Sequence, residues 1–411
     1  MALPISIPYT FANATTSIPL SQLDTDISTI YATVNGIGNG TVALSNVVIT
    51  GGIISNVSGL STSAISNGTS NVSIATANGN VTIATAGNNA VTVDTSQNMT
   101  TVGTVAMGSS FKRNRIINGN FNIWQRGTSF TVTGGVNDYS ADRWRTEGSA
   151  INSVISQQTF TVGQTDVPGY PTYYCRVTTS SAPSSYWAFQ QRIECPQNIN
   201  GDGTYTLSFW AKAVSGTIAA GTFNYGINTA SNNSPALTTA WQKITVTTTL
   251  SGVSQAGGSI SIYLVYVSSS VSSLSVDIAN VQVESGTLAT PYERQIYSDQ
   301  LAQCQRYYSK SYDITTVPGT VTNNGSAWNY VSQTAAVGDI GVSIPIKVTM
   351  RTAPTVVWYS PDTGNSGVCG SQAGDKTANS QYVGSSSIAV FITASNNNGQ
   401  VRAHYTAAAE L

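Results

Sequence analysis

The sequence predicts an all-β, elongated protein in which several copies of the chain share a stalk. Three observations lead there. Near-copies of one hexapeptide, NVSIAT from Asn71, NVTIAT from Asn80 and AVTVDT from Ala90, recur after nine and ten residues. Within them Val72 and Ile74, Val81 and Ile83, and Val91 and Val93 alternate with polar residues, which is strand periodicity. A second series of strand-like segments separated by turn residues runs from Tyr173 to Glu284. Finally, only 9% of the 411 residues are charged, against about 25% in average soluble proteins. Ser, Thr, Asn and Gly take the polar positions, as on a surface of strands and turns.

Composition also excludes. A net charge of -1 without a basic run argues against nucleic acid, because counterion release needs clustered Lys and Arg. The opening MALPISIPYTF has two prolines and no basic start, so no secretory signal is expected. No stretch reaches the roughly 18 apolar residues that would span a bilayer, and membrane insertion is not expected. The 40% hydrophobic content is enough to fill real cores.

Taken in order, residues 1–40 read as an attachment arm followed by a short coiled coil. Pro4, Pro8, Tyr9 and Phe11 make the arm extended and aromatic, a peptide that orders on a partner. Leu20, Leu23, Ile27, Ile30 and Val34 step by three and four residues, an a/d seam behind a capping-box-like Ser21 and Asp24. So short a helix is marginal alone, and Ile at both kinds of seam position favours three or more strands; the alternative is an amphipathic helix packed on its own domain. Residues 41–110 read as the stalk. Its stripe is narrow, so a dry core needs copies from several chains, and a closed parallel wrapping of three would also remove sheet edges.

At Phe111 the composition shifts, with FKRNRIINGNFNIWQRG bringing the first basic cluster and the first Trp. Strands are expected over 173–179, 186–193, 204–213, 221–227, 242–250, 259–267 and 275–284, as in a β-sandwich. NRIINGNFNIWQRG from Asn114, DYSADRW from Asp138, YWAFQQRIE from Tyr186, YTLSFWAKA from Tyr205 and VDIANVQVESGTLATPYERQ from Val276 resemble the jelly-roll, carbohydrate-binding-module-like domain of tail-fibre and receptor-binding proteins of tailed bacteriophages. The resemblance places a jelly roll at 111–296 and a β-rich tip at 297–411, introduced by a helix over 298–309. It implies a homotrimeric virion component that docks by its arm on another virion protein and recognises host surface glycan. Release by lysis would go with the missing signal. It also raises a structural Ca²⁺ near Asn118, Asn120 and Asp277, although no sequence feature demands one and no other cofactor is expected.

Glycan binding needs aromatic faces and a few fixed polar groups on a rigid sheet. Alternation puts Trp187, Phe189 and Ile193 in the core and Tyr186, Gln190 and Arg192 outside; likewise Tyr205, Leu207 and Phe209 oppose Trp210 and Lys212. A groove of Tyr186, Gln190, Arg192, Trp210 and Lys212 is therefore the first candidate, against the alternative that these rings merely cover a sheet edge or subunit contact. Trp328, Trp358, Tyr359 and Tyr382 are the tip candidates. Trp124 and Trp144 read as core.

No enzyme is expected. The stalk holds one acidic residue between Val34 and Phe111, Asp94, whereas polysaccharide cleavage needs a carboxylate pair. Asp138, Asp142, Glu147, Glu194 and Asp202 read mostly as solvated loop charges. His404, the one histidine, has no GxSxG elbow before it. NINGDG from Asn198 opens like a calcium loop, but Phe209 stands where the closing Glu belongs. Cys175, Cys195, Cys304 and Cys369 lack metal spacing; free buried thiols are expected, with a Cys175–Cys195 bridge open if their strands are neighbours. A purely structural virion fibre and a polysaccharide depolymerase are the competing functions.

Overall fold

The computed structural model describes residues 17, 19–38, 64–67, 69–74, 76, 78–97, 99–101, 112–133, 138–195, 202–252, 258–332, 338–393 and 398–411. Tyr9 and Phe11 of the arm, and most of the NINGDG segment, lie outside the described residues. The chain forms two units, Met1–Val102 and Gly103–Leu411. Strand is the dominant structure in both, so the chain is all-β as expected.

In the first unit, helix α1 (Leu20–Gly38) starts behind Pro19, whose carbonyl accepts the Gln22 N–H at 3.0 Å. Ser21 therefore lies in the first turn and does not cap it. Thr25, Thr29 and Thr33 donate to the carbonyls four residues back, which gives this helix a polar stripe. The seam residues Leu20, Leu23, Ile27, Ile30 and Val34 are 43–74% exposed in the chain on its own.

The hexapeptides become β2 (Ser70–Ile74), β3 (Val81–Thr85) and β4 (Asn88–Val93), flanked by β1 (Ala64–Asn67) and β5 (Met99–Thr101). These five strands pair antiparallel in chain order. The wrapping expected from the repeats is one between chains; within the chain the repeats pair antiparallel. The reason is the connection: β3 and β4 are joined by Ala86–Gly87, both at positive φ, a tight hairpin far too short for a parallel crossover. Registers Val72↔Ile83↔Val91 and Ile74↔Val81↔Val93 gather the repeat's apolar residues on one face. Val72, Ile74 and Ile83 on it remain exposed.

The second unit holds a β-sandwich of β6 (Ser129–Val132), β7 (Trp144–Gly148), β8 (Ser153–Thr159), β9 (Tyr173–Thr179), β10 (Tyr186–Glu194), β11 (Gly203–Ala213), β12 (Asn224–Ile227), β13 (Asn232–Asn233), β14 (Gln242–Leu250), β15 (Ser259–Ser268) and β16 (Leu274–Ser285). One sheet has the order β13-β12-β15-β10-β7 and the other β14-β11-β16-β9-β8-β6. Their inner faces share one core that includes Trp144, Trp187 and Phe189 from the first and Leu207, Phe209 and Ile278 from the second. Trp124 joins it, as expected. The NRIINGNF motif is a staple on this core. Val281 N–H donates to the Gly119 carbonyl, and a Cβ at Gly119 would collide with the Val281 oxygen. Asn118 bonds both backbone groups of Ile123 and the Asp142 carbonyl.

Beyond the sandwich, α2 (Tyr297–Gln305) ends earlier than expected, because Tyr308–Lys310 forms strand β17. The tip continues with β18 (Ala327–Ser332), β19 (Asp339–Pro345), β20 (Thr355–Tyr359), β21 (Val368–Cys369), β22 (Lys376–Thr377), β23 (Asn379–Gln381), β24 (Ser387–Thr393) and β25 (Asn398–Ala408). Strand β25 pairs with β17, β18 and β20.

A buried ionic joint ties tip to sandwich. Glu410 accepts from Arg126 at 2.8 Å and from Arg143. The Arg126 guanidinium lies 3.6 Å over the Tyr308 ring and that of Arg143 3.6 Å over Tyr307. Tyr139 and Arg145 donate to the Leu411 carbonyl. The Lys310 ammonium donates to the carbonyls of Gln125, Ile314 and Thr316, and its burial lowers its pKa to about 8.

Candidate binding site

The two halves of the expected groove face opposite ways. Tyr186, Gln190 and Arg192 stand on β10 of the five-stranded sheet, whereas Trp210 and Lys212 stand on β11 of the six-stranded one. Outward side chains of the two sheets of a sandwich point away from each other. Gln190 is moreover fully buried. The register slips between Phe189 and Gln190, and its amide donates to the Glu147 carboxylate. Glu147 also takes Arg192 at 3.2 Å and Arg145 at 3.3 Å. Tyr186 stacks on Tyr266 at 5.2 Å and 10°, so one face of each ring is spent on the other.

The outer face of the six-stranded sheet is built differently. A satellite cluster of Phe160, Val167, Tyr174, Trp210, Trp241 and Ala279 lies on it. Phe160, Tyr174 and Trp241 pack with centroids 4.7–5.4 Å apart, and the Lys212 ammonium sits 5.4 Å over Trp241. Asp277, fully buried, binds Arg176 through two hydrogen bonds and lies 3.6 Å from Lys212.

Beside this cluster is a cleft of about 310 Å³. Ser208 and Trp210 on β11, Lys243 on β14 and Asn280 on β16 contribute from the sheet, and Pro168–Gly169 and Ala289–Tyr292 from two loops. A bulge places Asn280 there: the β11–β16 register slips between Ser208 and Trp210, and Asn280 takes φ 49°. Its amide N–H donates to the Pro168 carbonyl at 3.1 Å, which holds the first loop. Thr290 is fixed from below by Glu284, which accepts both its hydroxyl and its backbone N–H. Two buried polar atoms of lining residues have no partner among the described residues, Asn280 Oδ1 and the Tyr292 hydroxyl. Burial pushes the Tyr292 phenol pKa up, so the group stays protonated.

At the tip, Trp328 is 66% and Tyr382 78% exposed, while Trp358 is 2% exposed and belongs to the tip core. Trp358 is no contact residue: β20 turns it inward, where its indole N–H donates to Ser380 Oγ at 2.7 Å. Tyr359 is half-buried, edge-on to Tyr312.

The remaining chemistry-bearing residues are committed elsewhere. Asp142 and Glu194 are buried, not solvated loop charges; Asp142 lies 3.6 Å from Arg126, and Glu194 accepts from Tyr307 and Arg306. Of the trio suggested for Ca²⁺, Asn118 staples its turn, Asn120 accepts from the Asn122 N–H and Asp277 is paired to cations. Among the described residues no group of three or more His, Cys, Asp or Glu could hold a metal ion. His404 is buried and stacks 3.8 Å from Tyr312. Its Nε2–H donates to the Thr322 carbonyl, so Nδ1 accepts from Ser311 Oγ; burial lowers its pKa. All four cysteines are buried and free, without a Cys175–Cys195 bridge. No helix among the described residues is long and apolar enough to cross a membrane.

No known protein family matches the sequence, and no curated protein does. Similar folds occur among solved structures. A Stig cyclase, Fisc from Fischerella sp. TAU, is 11% identical with a TM-score of 0.28, over 42% of this chain and 97% of that one. The enzymatically active domain of tailspike protein 4 of bacteriophage CBA120 is 14% identical with a TM-score of 0.26, over 44% and 24%. The CBM22-1 xylan-binding domain of Paenibacillus barcinonensis Xyn10C is 11% identical with a TM-score of 0.24, over 40% and 99%. At scores this low the likeness decides nothing about function.

Proposed function

We propose that the chain is an external fibre protein of a tailed-phage virion that binds host surface glycan through the Trp210–Tyr292 cleft. One observation carries the binding reading: an aromatic-lined cleft on a rigid sheet, two of whose lining residues, Asn280 and Tyr292, keep a buried polar atom with no partner among the described residues. Leaving such atoms unpaired costs about 1–3 kcal/mol each, and a bound group that satisfied them would recover it. The fibre reading draws on the exposed seam of α1 and the apolar face of the β1–β5 sheet, which two further copies would cover. The arm would hold another virion protein. The reading is binding and not hydrolysis, with Asp277 engaged by Arg176 and Lys212, Glu284 by Arg113 and Thr290 and Glu293 by the Asn114 N–H.

The test is a glycan array probed with the full chain and with Trp210→Ala. Losing a stacked indole should weaken binding at least ~10-fold, a change of about 1.4 kcal/mol. A folded Trp210→Ala protein that binds as well as the parent would remove the cleft from the account.

A further inference from the structure

The cleft also says what kind of glycan it takes. Resting on the binding reading above, we infer that it receives the end of an acidic glycan chain, one terminal unit carrying an anionic substituent, and not a run of neutral sugars.

Size is the first ground. A volume near 310 Å³ stands at the bottom of the roughly 300–1,000 Å³ range of small-molecule sites. The Pro168–Gly169 and Ala289–Tyr292 loops line it together with the sheet, and Asn280 ties the first loop down. A long polymer lying across the sheet would want an open groove; a bounded cleft suits a chain end or a branch.

Charge is the second. Lys243 lines the cleft beside Trp210, its register partner across β11 and β14. Lys243 is exposed, and among the described residues its ammonium holds the Ala289 carbonyl, at 3.2 Å. Among the described residues no carboxylate lines the cleft with it. On the same sheet face Lys212 and Arg176 share the one carboxylate of Asp277. Lys243, Lys212 and Arg176 stand here against Asp277 and Asp166, the latter exposed two residues before the first loop, in a chain whose net charge is -1. Glu293, next to Tyr292, is turned away to accept the Asn114 N–H at 2.7 Å, and Glu284 is buried under Thr290. An anion on the sugar would therefore meet Lys243 at the wall, while Trp210 and Tyr292 take its apolar face and Ser208 and Asn280 its hydroxyls.

Calorimetric titration of the full chain with glucuronic acid, glucose 6-phosphate and glucose separates the possibilities. Tighter binding of either acidic sugar than of glucose, by about two- to five-fold as expected for one exposed ion pair and diminished by added salt, supports the inference. The acid that wins names the substituent. In Lys243→Gln the acidic-to-neutral ratio should fall to about one, and Lys243→Arg should restore part of it. Equal binding of all three sugars would overturn the acidic preference and leave glycan binding standing. Binding of none would overturn both.

Discussion

Replacing Glu410 by Gln tests whether the sandwich and the tip are held as one body. The carboxylate is the common acceptor of Arg126 and Arg143, whose side chains are 15% and 1% exposed. Gln keeps the shape and removes the charge, which leaves two guanidinium groups short of a counter-ion. Breaking a buried pair from one side costs about 3–5 kcal/mol. Arg143 keeps the Arg192 carbonyl and the Tyr307 ring, and Arg126 keeps Asp142 at 3.6 Å, so the lower end, about 3 kcal/mol, applies. For a unit of this size each kcal/mol moves the midpoint by about 2–4 °C, giving a fall of ~6–12 °C in calorimetry of the full chain. Arg143→Met and the double variant complete a cycle; a coupling of about 1 kcal/mol or more should remain between the two sites. A Glu410→Gln protein within about 0.5 kcal/mol of the parent, with additive singles, would refute the joint as a source of stability.

Three further expectations follow from buried groups. Burial raises the Asp142 pKa to about 6, so the folded state binds the extra proton: stability from this group is full below its ordinary pKa near 4 and is lost as pH rises through about 6. Urea midpoints from pH 4 to 7 should show that decline in the parent but not in Asp142→Asn. Trp358→Ala should cost ~3–5 kcal/mol by emptying the tip core, whereas exposed Trp328→Ala should stay within about 0.5 kcal/mol; equal effects in urea unfolding would show the inside and outside of β18 and β20 misassigned. Burial pushes the Cys175, Cys195, Cys304 and Cys369 thiols up, that of Cys369 to about 12, so a thiol reagent should be inert toward the native protein and reach all four after denaturation.

Periodicity made much of the sandwich legible. Seven segments read from alternation correspond to β9, β10, β11, β12, β14, β15 and β16, and Trp187, Phe189, Leu207 and Phe209 face the core as alternation requires. What alternation could not reveal is which sheet a strand joins. Consecutive β10 and β11 lie in opposite sheets, which splits Tyr186 and Arg192 from Trp210 and Lys212. Bulges defeat a period of two locally: one buries Gln190, another brings Asn280 into the cleft. Short β6 and β7 lacked a clean alternating signal, and the tip gave no basis for choosing Trp328 over Trp358. Ser208, Lys243, Asn280 and Tyr292 were missed because they come from three strands and a loop far apart in sequence. Ser208, Asn280 and Tyr292 had a trace, lying within the YTLSFWAKA and VDIANVQVESGTLATPYERQ motifs already noticed, whereas Lys243 had none. The antiparallel stalk could have been anticipated from the two-residue spacing between Thr85 and Asn88.

The most direct test of the account is a crystal structure of the full chain with the glycan that binds it best on the array. The account predicts a terminal sugar between Trp210 and Tyr292, with Asn280 and Lys243 in contact with it. A sugar seated instead on the Tyr186–Tyr266 pair or at Trp328, with the cleft empty, would contradict it.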